Sequence, residues 1–92
     1  MIINFNDYNK ALGTRKLGEA IRKDIEKHIQ ENQELIFDFS GIDVISSSFA
    51  DECFGKLVNK YGLELIKNKT HFKNVNKFIK IVILDILKNY NQ

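Results

Sequence analysis

An apolar residue returns every fourth position at Leu17, Ile21, Ile25 and Ile29, and six residues later the pattern changes to the short run Leu35-Ile36-Phe37-Asp38-Phe39. The first spacing keeps one face of a helix apolar, with charged residues on the others. The second run is too short for a helix, and Gln33-Glu34 before it and Ser40-Gly41 after it mark its ends, so it reads as a buried strand. A one-sided helix must lie on something, and a buried strand must sit in a sheet; together they commit the chain to a layered α/β arrangement. With 92 residues, a chain of this kind buries roughly 60% of the surface its unfolded form exposes, enough for one small core. Residues 1–92 are therefore read as a single domain.

The remaining segments fill in the order. Met1 to Phe5 reads as a short opening strand, and Thr14 stands where a helix N-cap is needed. Beyond a second apolar stretch, Ile42 to Ile45, the residues Ala50, Cys53, Phe54, Leu57, Val58 and Tyr61 follow helical spacing up to Gly62. Leu63 to Ile66 is predicted as a third strand, followed by a polar Lys67–Thr70 turn with a short extension at His71-Phe72. Ile79, Val82, Ile83, Ile86, Leu87 and Tyr90 predict a last helix capped by Asn76. Phe78, Ile81 and Leu84 fall off its main stripe, which makes a homodimer contact plausible on composition. The predicted order is β-α-β-α-β-α: an α/β domain with a three- to four-stranded, mostly parallel sheet and helices packed on it.

Several classes lack sequence support. The lone Cys53 rules out an internal disulfide framework and favours a reducing compartment, so a cytoplasmic setting is expected. No apolar run approaches the ~20 residues needed to cross a bilayer. His28 and His71 stand apart from other ligand-type residues, and no glycine-rich phosphate loop occurs, so neither a metal nor a cofactor is expected. Cys53 falls on the apolar face of its helix, as a core residue would. No base stands near a candidate nucleophile in the linear pattern, so no catalysis is expected. Charge is split unevenly: residues 1–52 carry six basic and ten acidic groups, and residues 53–92 carry eight lysines against two acids. Neither arginine lies in the basic half, which argues against nucleic-acid readout, where bidentate arginine contacts dominate.

The segment richest in chemistry is Phe37-Asp38-Phe39-Ser40-Gly41-Ile42-Asp43-Val44-Ile45-Ser46-Ser47-Ser48-Phe49-Ala50-Asp51-Glu52. A strand runs into a Ser-Gly turn, and a serine cluster then opens an amphipathic helix. It resembles the centre of STAS domains, the fold shared by anti-anti-sigma factors, stressosome proteins and the cytosolic ends of sulfate transporters. There, Asp-Leu-Ser-Gly at a strand end precedes Asp-Ser-Ser-Gly at a helix start. Asp38-Phe39-Ser40-Gly41 matches the first motif, and Ser46-Ser47-Ser48-Phe49 stands in the place of the second. The Ser-x-Ser-Phe-Ala-Asp-Glu wording is closer still to a bacterial STAS-like family of unknown function, whose members also tend to carry an arginine where Arg15 stands.

The resemblance implies a non-catalytic regulatory module whose protein partner is a histidine-kinase-like ATPase or another partner-switching protein. It implies Ser48, with Ser47 beside it, as phosphorylation candidates. The docking surface it suggests is Ser46, Ser47, Ser48 and Phe49 with Asp51, Glu52, Gly55 and Lys56 on the following helix. Ser46 replaces the family's acid and Phe49 its glycine, and Asp51 and Glu52 are expected to repel a phosphate in the first turn. A local reading needs no partner: Ser48 and Asp51 match a Ser-x-x-Asp capping box, worth about 1 kcal/mol. The alternatives are nucleic-acid binding through the lysine-rich half and sensing of a small anion at the helix start.

Overall fold

The computed structural model describes residues 1–90. Strand β1 (Ile2–Asn4) passes into a single 3₁₀ turn (Phe5–Asp7). Thr14 then accepts the Leu17 N–H on its hydroxyl at 3.2 Å and starts α1 (Arg15–Gln30), whose Ile21, Ile25 and Ile29 are buried. Strand β2 (Leu35–Asp38) follows. Residues 47–61 form one helical rod made of α2 (Ser47–Ala50), a π turn (Asp51–Gly55) and α3 (Lys56–Tyr61). Helix α4 (Leu63–Lys69), strand β3 (Thr70–Lys73) and helix α5 (Lys77–Tyr90) complete the described chain.

The sheet order is β1-β2-β3, both pairings parallel, with Ile3 opposite Phe37 and Phe37 opposite Phe72. Parallel neighbours require crossovers: α1 makes the first, and the rod with α4 makes the second. Ile3, Leu35 and Phe37 point into the core, while Ile2, Asn4, His71 and Lys73 on the alternate face are open to solvent. Phenylalanines fill the space between sheet and helices. Phe39 stacks on Phe5 at 4.4 Å between ring centroids, Phe37 meets Phe54 at 5.6 Å, and Phe72 closes over Phe39 at 6.1 Å. Rings offset or tilted in this way gain about 0.5–1.5 kcal/mol per pair beyond their burial.

The expected order of elements holds up to Tyr61 and again from Asn76, where the Asn76 side chain caps α5 by accepting the Ile79 N–H at 2.9 Å. Between those points the assignment needs correcting. Leu63–Ile66 is not the third strand but the start of α4. Gly62 takes φ +87°, which ends α3, and its carbonyl accepts the Ile66 N–H, so a new helix begins at once with Ile66 buried. The third strand lies instead at Thr70–Lys73, beginning on the last residue of the expected Lys67–Thr70 turn and running through the short extension expected at His71-Phe72. Thr70 donates its hydroxyl to the Ile66 carbonyl at 2.6 Å, closing α4. Thr70 and the three residues after it then pair with all four residues of β2. Ile42 to Ile45 is irregular, its one ladder contact being a parallel bridge from Ile45 to Leu12.

Candidate partner-docking site

The Asp38-Phe39-Ser40-Gly41 motif is a turn-building device at the end of β2. The Asp38 carboxylate accepts the Ser40 N–H and the Asn74 side-chain amide, each at 2.9 Å. Those two bonds, Asn74's the larger influence, hold its carboxyl below the ordinary range. Gly41 sits at φ +80°, and a Cβ there would come within 2.8 Å of the Asn6 amide nitrogen. The chain is thus turned over the sheet edge towards the serines.

Of the three serines, Ser46 caps the rod. Its hydroxyl accepts the Phe49 N–H at 3.0 Å and donates to the Gly13 carbonyl at 2.9 Å, while its own N–H bonds the Leu12 carbonyl. The capping box expected at Ser48 and Asp51 therefore does not form, because the cap position is taken two residues earlier. Ser46 is a half-buried joint between two loops. Ser47 and Ser48 project from the first turn, exposed, and neither hydroxyl bonds another described residue. Beside them, the loops 10–13 and 41–46 enclose an open cleft of about 520 Å³, with Lys10, Asp43 and Val44 at its walls.

Further along the rod, several expected contact residues face inwards. Phe49 is completely buried in the aromatic core and Glu52 is 4% exposed. Gly55 is covered by the Tyr90 ring, which a Cβ at that position would strike. These three residues are corrected from docking surface to internal packing, since the wide π turn lies wedged between α1 and α5. Lys56 is exposed and Asp51 is partly so.

The π turn also explains how α1 is fastened to the rod. The Lys56 N–H bonds the Asp51 carbonyl, five residues back, so the Glu52 carbonyl lacks its usual helical donor. Arg22 supplies one, its Nε donating to that carbonyl at 2.8 Å while Nη2 reaches Glu52 Oε2 at 3.0 Å. Lys56 holds the other Glu52 oxygen at 3.0 Å. Arg15 bonds Asp51 at 2.7 Å, and the Tyr90 hydroxyl donates to the same carboxylate at 2.6 Å. Burial by itself would raise both carboxyls, but Tyr90 and Arg15 at Asp51, and Lys56 and Arg22 at Glu52, outweigh it and hold both below their ordinary values. Each carboxylate is thus already matched by cations, so the repulsion expected against a phosphate on Ser47 or Ser48 is largely offset. Gly18, a residue with no evident signal in the sequence, lets the two helices approach: a Cβ there would lie 2.9 Å from the Phe49 carbonyl oxygen. Burial pushes the Cys53 thiol pKa up, away from the reactive thiolate.

A protein-family model described as a STAS-like domain of unknown function matches residues 18–80. The chain is a STAS-like domain. No curated protein and no solved structure matches it. The family match spans both motifs and the whole rod, so the Asp38 turn, the Ser46 cap and the Gly18 crossing all lie inside the STAS-like region. Arg15, which fastens α1 to Asp51, lies just before it. Among the described residues, no helix is long and apolar enough to cross a membrane, and no group of three His, Cys, Asp or Glu side chains is placed to hold a metal ion.

Proposed function

We propose that this STAS-like domain works in the cytoplasm as a non-catalytic switch component, docking a histidine-kinase-like ATPase through the exposed start of the rod. Ser47, Ser48 and Lys56 form the contact surface, with the neighbouring cleft at Lys10, Asp43 and Val44, and phosphorylation of Ser48 or Ser47 releases the partner. One observation carries this reading: two hydroxyls stand in solvent, uncommitted to the fold, at the first turn of an otherwise clamped helix. Backbone N–H groups at that turn favour added negative charge, so a phosphate of about −1.5 to −2 would be tolerated by the fold while altering the surface a partner meets.

The test is affinity capture from lysate of the source cells, with bound proteins identified by mass spectrometry. Wild type should enrich an ATPase of the histidine-kinase-like fold, and Ser48→Asp should lose it while keeping the wild-type circular dichroism. Equal capture by both proteins, or capture of no such ATPase, overturns the reading.

A further inference from the structure

The outer side of α5 carries three exposed large apolar side chains, Phe78, Ile81 and Leu84. Ile81 and Leu84 are 56% and 55% exposed, one turn apart. On one flank of Leu84 a trough of about 420 Å³ is lined by Phe72, Val75, Ile83 and Leu87, with Lys80 at its rim. A second trough of about 380 Å³ joins it through Leu84 and Leu87 and continues to Leu63, between Lys67 and Lys88. Leu84 and Leu87 are shared by the two troughs, and three lysines stand around them. None of these lysines lies in an ion pair with another described residue. The carboxylates of α4 and α5, Glu64 and Asp85, line neither trough.

Charge decides among occupants. A second copy meeting this face two-fold would bring one set of Lys67, Lys80 and Lys88 to face the other, and like charges at such a contact are costly. An anionic bilayer would satisfy the lysines, yet a flat surface has nothing to place in two concave troughs. An amphipathic helix with apolar residues on one face and carboxylates along its edges satisfies both features. We infer that α5 with α4 and β3 forms a helix-in-groove site for an acidic amphipathic segment of another protein, separate from the Ser47–Ser48 surface.

The experiment is selection from a displayed library of randomised helical peptides against the full chain, with affinities of the recovered peptides measured by fluorescence anisotropy. Recovered sequences should be amphipathic and acidic. Leu84→Glu should weaken them by about thirtyfold or more, as loss of a central anchor does. Lys80→Glu should weaken them roughly tenfold, and added salt should weaken the wild-type interaction. Leu84 is exposed, so Leu84→Glu should keep the wild-type melting curve, and Ile81→Glu, exposed one turn earlier on α5, provides a second probe. Ser48→Asp should leave peptide binding unchanged, which separates this site from the proposed ATPase surface. Recovery of no helical peptide, binders that are neutral or basic, or binders indifferent to both Leu84→Glu and Ile81→Glu overturn the inference. So does a dimer in sedimentation equilibrium that Leu84→Glu dissociates, or binding to phosphatidylserine vesicles that the same change abolishes.

Discussion

The seam between α1 and the rod and the outer side of α5 are both built from charged residues beside apolar ones, and they use them in opposite ways. At the seam Arg15, Arg22 and Lys56 are each bonded to a carboxylate across or along the helices, and Gly18 removes the side chain that would hold the helices apart. Along α5, Lys80 and Lys88 flank exposed Leu84 with no carboxylate opposite them. The seam is an interface already filled from within the chain. The α5 side has the same ingredients with half of them missing, and the comparison teaches that charge content alone does not distinguish a closed contact from an open one; pairing does.

Deleting charges on the two sides should separate them most sharply. Glu52→Ala leaves Arg22 facing a buried gap and should cost about 2 kcal/mol in urea unfolding, the scale of lost hydrogen bonds to charged groups. Lys80→Ala should stay within about 0.5 kcal/mol of wild type; similar losses from both changes would erase the distinction. Gly18→Ala should cost about 1–3 kcal/mol, because the group it meets is the Phe49 backbone carbonyl, which cannot swing aside. Ser46→Ala should cost about 1 kcal/mol, and Ser48→Ala less than about 0.5 kcal/mol. The reverse order would return the cap to Ser48.

Acid should find the seam as well. Asp51 and Glu52 have carboxyl pKa values below their ordinary 3.8 and 4.5. Lowered native values favour the ionised form in the fold, so their stabilisation is complete above the ordinary values and is lost as pH falls through them towards the native ones. The melting temperature should therefore hold from pH 7 to about 5 and decline below about 4. Asp51→Asn should lessen that decline, and an unchanged acid slope would remove Asp51 from the account.

What the sequence revealed follows from the range of the interactions involved. Long one-sided stripes such as Leu17 to Ile29 carry their partner's direction within themselves, so α1, the rod and α5 were legible. Leu63-Glu64-Leu65-Ile66 is four residues long, and over that length a period of 2 and a period of 3.6 are not separable; the positive φ of Gly62 settles the matter. Three consecutive serines offered three cap positions, and the choice of Ser46 depends on the Gly13 carbonyl, 33 residues away. Gly55, expected on the docking surface, is closely approached, but by Tyr90 from the far end of the described chain. Burial narrows the candidate segment to the residues that remain outside.

The widened turn at Asp51–Gly55 has a bearing on how information could leave this molecule. Because α1, α5 and the phenylalanine cluster pack against it together, rotating or sliding that stretch would break the Arg22 bonds to Glu52 and the Tyr90 bond to Asp51. A chemical mark placed on Ser47 or Ser48 would alter the electrostatic face shown to a visitor while the scaffold beneath stayed still, so the domain would act as a label to be read and not as a lever to be moved.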